Sequence, residues 1–228
     1  MTPRVLIRIL LAEDHAIVRQ GLSALLRAER HFAMVGEAKN GREAVEMART
    51  LNPDIILMDI AMPLMNGLEA TRQILAANRA AKVIILSAHS DDEYIQRMSE
   101  AGVSGFLEKQ TSADILTIAI LKVAEGSVYF SPSITKRLRA NLQNPRTREG
   151  LVKVNGNRLT SREAEVLQLV AEGSANKGVA AELGISIKTV EKHRQQLMNK
   201  LNIHDTAGLT RYAISAGVIE SSVQLTII

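Results

Sequence analysis

The chain has 228 residues, 46% of them hydrophobic and 23% charged, with 14 Gly and neither Cys nor Trp. That length accommodates one large or two small domains, and the composition excludes collagen-like, disordered and disulfide-rich scaffolds as well as thiol nucleophiles and Cys-ligated metals. The net charge of +4 is uneven: residues 1–130 carry 14 Lys/Arg against 16 Asp/Glu, whereas residues 131–228 carry 14 against 8. An acidic half joined to a basic half suggests two tasks, with nucleic acid the first candidate for the second. The longest apolar runs, 83–86 and 55–58, fall far short of the ~18 residues of a membrane span. The alternation of apolar and charged residues over 1–30 is unlike a signal peptide. A cytoplasmic protein without a membrane partner is expected.

In chain order, strands are expected at 5–11, 32–38, 55–59, 82–87 and 105–108, with helices near 15–28, 41–50, 66–77, 91–101 and 111–125 between them. The continuous Val/Ile/Leu runs fit strands buried on both faces, as in a parallel sheet covered by helices. Asn66 before Glu69 and Ser90 before Glu93 read as helix starts, and Gly102 and Gly126 follow helix ends. Five β-α units predict an α/β doubly wound five-stranded parallel sheet, whose site lies beyond the carboxyl ends of its strands.

The residues at those ends carry the chemistry. Strand one leads into Glu13 and Asp14, strand three ends in Asp59, strand four in Ser87, and Lys109 follows strand five. Three carboxylates at one sheet edge repel one another unless a cation sits among them, and a hard divalent ion such as Mg²⁺ prefers such oxygens. Lys109 and Ser87 suit a bound phosphoryl group. No Gly-rich loop follows strand one, which argues against dinucleotide or P-loop binding.

These stretches, Leu10-Leu11-Ala12-Glu13-Asp14-His15, Leu57-Met58-Asp59-Ile60-Ala61-Met62-Pro63, Ser87-Ala88 and Gly105-Phe106-Leu107-Glu108-Lys109, resemble a response-regulator receiver domain over about residues 5–126. The resemblance implies that Asp59 accepts a phosphoryl group from a sensor histidine kinase. It also implies that Glu13, Asp14, Asp59 and the Ala61 backbone carbonyl hold Mg²⁺, that Ser87 contacts the phosphoryl oxygens, and that Lys109 pairs with the phosphate. Such transfer depends mainly on positioning and charge neutralisation. Phe106 stands where the family often has a switching Tyr; a plain core aromatic is the other reading. Ala61 and His89 lie where the family tunes loss of the phosphoryl group.

Residues 127–157 read as a linker with a short basic helix at 133–142. It carries Lys136, Arg137, Arg139, Arg146, Arg148 and Lys153 against Glu149 alone. A solvated connector and an auxiliary phosphate-backbone contact are the two readings.

From Leu159 onward the pattern is short helices, expected as a small all-α domain over 158–220. Thr160-Ser161-Arg162-Glu163 is a capping box, a second helix near 177–183 ends at Gly184, and Ser186 caps a third running to Leu201. Two short helices about a tight turn form a helix-turn-helix, whose second member enters the major groove. Val190, Leu197 and Leu201 would face inward, with Lys188, Glu191, Lys192, Gln195 and Asn199 outward. Together with Asn176-Lys177, Ile185-Ser186-Ile187-Lys188-Thr189-Val190-Glu191-Lys192-His193, Met198-Asn199-Lys200-Leu201 and Tyr212-Ala213-Ile214, the segment resembles the LuxR/FixJ-type DNA-binding domain. A receiver before this domain defines the NarL/FixJ class of two-component regulators.

Carried over, the resemblance places Glu191, Lys192 and Gln195 at base edges, and Lys188, Thr189, Arg194 and Lys200 on the phosphate backbone of promoter DNA. The final helix, 205–216, with Leu209, Ala213 and Ile214, would mediate homodimerisation, core packing being the alternative. Residues 158–228 carry 8 Lys/Arg against 7 Asp/Glu, which favours binding as a dimer. RNA polymerase is a candidate partner. Ala175-Asn176-Lys177-Gly178 departs from the family's Ser-Asn-Lys-Glu, losing a cap and gaining a helix-interior glycine. The tail, 221–228, has no assignment. The expected function is a phosphorylation-switched transcription regulator. The alternative is a regulator that binds DNA independently of phosphate, its receiver serving as an interaction module. A Mg²⁺-dependent phosphatase is a third reading, without support from the attached helix-turn-helix.

Overall fold

The computed structural model describes residues 6–88, 92–143 and 159–219. The chain divides into two units, residues 1–154 and 155–228. No described helix is long and apolar enough to cross a membrane.

In the first unit the elements run β1 (Ile7–Ala12), α1 (Ala16–Ala28), β2 (Phe32–Ala38), α2 (Gly41–Leu51), β3 (Ile55–Asp59), α3 (Gly67–Ala77), β4 (Val83–Ser87), α4 (Asp92–Ala101), β5 (Gly105–Glu108), α5 (Ala113–Ala124), β6 (Tyr129–Phe130) and α6 (Pro132–Gln143). The strands form one sheet in the order β2-β1-β3-β4-β5-β6, and every adjacent pair is parallel.

Because successive side chains in a strand point to opposite faces, the apolar runs feed two cores. Leu10, Ile56, Met58, Val83, Ile85 and Phe106 enter one, with Ala44 of α2, Ile74 of α3 and Met98 of α4. Ile9, Leu11, Ile55, Leu57, Ile84 and Leu107 enter the other, with Leu26 of α1 and Ile120 of α5. The strand order reverses between β1 and β3, and the crevice outside the carboxyl ends of strands at such a point is where ligands bind in doubly wound sheets.

The sheet has six strands rather than the expected five, and the segment read as a linker starts inside the first unit. Ser131 N donates to Phe106 O at 3.1 Å and Tyr129 N to Ser104 O at 3.0 Å. Phe130 pairs in register with Phe106. Ile134 of α6 is fully buried in the same core as Phe106, with Phe130 and Leu138 packed against it. The physical reason is the edge of β5, whose peptide groups need partners, together with the apolar spacing of Phe130, Ile134 and Leu138 along an otherwise basic helix. Arg146, Arg148, Glu149, Lys153, His89, the Ser90 cap and the tail lie outside the described residues.

Of the expected punctuation, Asn66 Oδ1 accepts from Glu69 N at 2.9 Å, and Gly102 and Gly126 take φ of +86° and +94°.

The second unit comprises α7 (Ser161–Ala171), α8 (Asn176–Leu183), α9 (Ile187–Leu201) and α10 (Thr206–Ser215). Thr160 and Glu163 close the capping box reciprocally. Ser186 caps α9 by accepting from Thr189 N, and Asp205 caps α10 by accepting from Gly208 N. Val166, Leu167, Val170, Val179, Leu183, Val190, Leu197, Leu209 and Ala213 are buried.

Candidate phosphoacceptor site and nucleic-acid interface

β1 delivers Glu13 and Asp14 and β3 delivers Asp59 to the same end of the sheet. Glu13 is fully buried and Asp59 is 3% exposed, and carboxylates so placed need a counter-charge. Lys109, directly after β5, supplies it. Its Nζ lies 2.8 Å from Glu13 Oε2 and 2.9 Å from Asp59 Oδ2, while Asp59 Oδ1 accepts from Ile60 N at 2.8 Å. Burial pushes the Asp59 carboxyl up to about 6, with Lys109 opposing and Glu13 and Asp14 reinforcing the rise. Burial pulls Lys109 down, yet Asp59 and Glu13 beside it leave its ammonium above the ordinary range.

The donor set fits a hard divalent cation. One ligand atom each from Glu13, Asp14, His15 and Asp59 fall within 4.8 Å of one another. Glu13 Oε2, Asp14 Oδ1 and Asp59 Oδ2 are buried, and their close polar neighbours are cationic nitrogens, Lys109 Nζ for Glu13 and Asp59 and His15 Nδ1 for Asp14. Carboxylate oxygens are what Mg²⁺ coordinates. Ala61 lies two residues beyond Asp59 and is half-buried. Ser87 ends β4 with 4% exposure, and its carbonyl accepts from Lys109 N at 2.8 Å. Phe106 is fully buried, in the inward, core position.

Three residues absent from the sequence-derived site belong to it. His15 Nδ1 lies 2.8 Å from Asp14 Oδ1 and 3.2 Å from Glu13 Oε1. The Asp14 charge is the main reason its imidazole is held above the ordinary histidine range. Arg19 of α1 donates from one guanidinium nitrogen to the carbonyls of Glu13 (2.8 Å) and Asp14 (3.0 Å). Gly67 packs against the backbone of Asp59 itself: a Cβ there would lie 1.9 Å from Asp59 O. The Asn66-Gly67 pair is a turn signal in the sequence.

In the second unit α9 exposes Lys188, Glu191, Lys192 and Gln195, as expected of a groove-reading face, and Gln195 Nε2 donates to Asn199 Oδ1 at 3.0 Å. Three of the expected phosphate ligands make contacts within the unit. Lys200 Nζ pairs with Glu163 Oε2 at 2.7 Å, and burial of Glu163 is outweighed by Lys200 and Thr160, which hold its carboxyl below the ordinary range. Arg194 donates to Asn176 Oδ1 at 3.0 Å and to Thr206 Oγ1, tying α8 and α10 to α9. Thr189 is half-buried, its hydroxyl 2.8 Å from Ser186 Oγ at the cap. Leu209 and Ala213, expected at a dimer interface, are fully buried in the core of their own unit. The large apolar residue that α10 exposes is Ile214, at 38%.

The profile of the response regulator receiver domain matches residues 9–121, and that of the bacterial regulatory proteins of the luxR family matches residues 157–213. The transcriptional regulatory protein DegU of Brevibacillus brevis is 35% identical over 225 residues, covering 94% of this chain and 95% of its own. The chain belongs to the LuxR-type response regulators. The transcriptional regulatory protein MctR of Rhizobium johnstonii is 37% identical over 219 residues, covering 96% of this chain and 98% of its own. A LuxR-family response regulator of Aurantimonas sp. superposes with a TM-score of 0.58 at 33% identity, over 61% of this chain and 99% of its own. RcsB of Salmonella enterica, at 22% identity and a TM-score of 0.56, covers 91% of this chain and 98% of its own and shares the fold. This response regulator joins a receiver to a LuxR-type DNA-binding domain and is a transcriptional regulator of a two-component system, not an enzyme.

Proposed function

We propose that Asp59 of this response regulator is the phosphoacceptor of a sensor histidine kinase, and that its phosphorylation controls promoter binding by α9. The observation that carries the reading is the Asp59–Lys109–Glu13 cluster at the switch point of the sheet, where buried carboxylates of two strands and Asp14 converge within ligand distance of one cation. Glu13, Asp14 and Asp59, with the Ala61 carbonyl, would hold Mg²⁺. When bound, the ion neutralises the carboxylates and the equatorial phosphoryl oxygens.

The remaining chemistry belongs to side chains. One carboxylate oxygen of Asp59 attacks while the other would face the cation, and Ile60 N holds Oδ1 in place. Attack forms the O–P bond as the P–N bond to the donor imidazole breaks, and the departing nitrogen takes a proton. Lys109, 2.9 Å from Oδ2, follows the charge onto the phosphoryl group, and Ser87 donates to another of its oxygens. Phosphate drawn to Ser87 and Lys109 changes the ends of β4 and β5 and biases the Phe106 side chain between two states. The readout is DNA binding as a homodimer, with Lys188, Glu191, Lys192 and Gln195 facing the groove and Ile214, in place of Leu209 and Ala213, on the exposed face of α10.

The test is an intact-mass spectrum after incubation with acetyl phosphate, with and without Mg²⁺, beside Asp59→Asn. The expected result is a single Mg²⁺-dependent phosphoryl adduct that the variant lacks. An equal adduct on Asp59→Asn overturns the assignment, and DNA affinity indifferent to the adduct supports a regulator controlled without phosphate.

A further inference from the structure

We infer that Arg19 is a positioning residue for the cation site, acting through the backbone that carries Glu13 and Asp14; the inference rests on the reading of that site as a Mg²⁺ and phosphoryl site. One nitrogen of its guanidinium bridges the carbonyls of both acids, at 2.8 and 3.0 Å. Those two peptides form the turn between β1 and α1, and their orientation sets where the Glu13 and Asp14 carboxylates point.

The guanidinium is itself braced. Its side chain is only 12% exposed, and Nε lies 3.9 Å from Glu37 Oε2 on the neighbouring strand β2. Glu37 is fixed in turn: Ser23 Oγ donates to its Oε1 at 2.7 Å, and Arg27 Nη2 lies 3.3 Å from the same oxygen. Arg27 Nε closes the set by donating to Ser23 Oγ at 3.1 Å. A chain of hydrogen bonds and ion pairs thus runs from β2 through α1 to the acid turn. A rigid planar fork that donates to several oxygens in fixed geometry is a property of Arg that Lys does not share. Residues around the ligands of a metal site, which orient those ligands, alter affinity by about 10–100-fold when removed.

The charge of Arg19 makes the inference testable, because charge and positioning predict opposite signs. A cation beside a cation site repels the ion, so an Arg19 that acted only by charge would give tighter Mg²⁺ binding when neutralised. A positioning Arg19 gives weaker binding when neutralised.

The experiment is calorimetric titration of Mg²⁺ into the full chain as wild type, Arg19→Gln, Arg19→Lys and Asp14→Asn, with melting of each metal-free protein alongside. For Arg19→Gln the expected result is a Kd for Mg²⁺ raised about 10-fold, with acetyl phosphate labelling slowed at low Mg²⁺ and restored at high Mg²⁺. Arg19→Lys, which keeps the charge but not the fork, falls between the two. Arg19→Gln with unchanged or tighter Mg²⁺ binding overturns the inference, whatever its melting temperature. Wild type that binds no Mg²⁺, or Asp14→Asn that binds as wild type does, overturns the site reading itself. If Arg19→Gln does not fold, a wild-type Kd in Arg19→Lys overturns the inference and a weakened one supports it.

Discussion

Asp59 is a destabilising residue in the metal-free protein. Its carboxyl is raised from an ordinary 3.8 to about 6, chiefly by burial, so the folded state holds the proton more tightly than the unfolded chain. By linkage, the cost of ionising it is absent below pH ~4, grows as pH rises towards ~6, and is then constant at about 2 to 3 kcal/mol. Asp59→Asn removes that cost while keeping the side-chain size, and leaves Lys109 paired with Glu13. In EDTA the variant is expected to melt several degrees above wild type at pH 7.5, with the difference vanishing near pH 4. Thermal melts across that range check it. A wild type equally stable or more stable at pH 7.5 would contradict the burial argument. The strained carboxylate was half legible in the sequence: acids at three strand ends announced a cation site, but Asp59's 3% exposure depends on the loop after β3. Gly67 admits that loop to close contact, and nothing in a linear pattern reports a carbonyl 1.9 Å from an absent Cβ.

Among the elements, α8 is the weakest by local chemistry. Ala175 stands at its N-cap with no side-chain hydrogen bond, so a peptide N–H that Ser would satisfy goes without that partner. Gly178 sits inside the helix, where a Cβ would meet only Ser174 Cβ at 3.9 Å. Gly178→Ala therefore fits without strain, and is expected to stabilise the domain by about 0.5 to 1 kcal/mol, as equilibrium urea denaturation would measure. A neutral or destabilising result would show that helix propensity does not limit α8. What holds α8 in place is tertiary: Val179 and Leu183 are buried, Arg194 donates to Asn176 and Arg162 donates to the carbonyl of Leu183. The sequence placed α9 correctly and its inward face with it, because 3.6-residue periodicity separates buried from exposed positions. It could not tell which exposed-looking cations are committed within the unit. Lys200 lies 37 residues from Glu163 in the chain but 2.7 Å from it in space, and periodicity carries no information about such a partner.

At the scale of the whole molecule, the alternation of apolar runs and capped helices made the doubly wound sheet legible up to β5, within a residue or two at most ends. It stopped there because β6 is two residues long, too short for any period to register. Yet Phe130 and Ile134 belong to the receiver core, so a receiver cut at residue 126 lacks part of its own interior. A fragment of residues 1–143 is expected to melt well above one of residues 1–126, and deletion of the Ile134 side chain alone, by Ile134→Ala, should cost about 2 to 4 kcal/mol. Equal melting of the two fragments would place β6 and α6 outside the cooperative unit.

β6 has a further consequence for how copies of this protein meet. Without it, β5 would present a bare parallel edge, with the peptide groups of Ser104 and Phe106 open to the strand of any passing chain. A covering strand of two residues, followed after Ser131 by the proline of α6, ends the sheet with little left to template upon. The fold thereby guards its own solubility. Chimaeras that graft this receiver onto another output domain should keep residues up to 143, or expect aggregation to be mistaken for failed signalling.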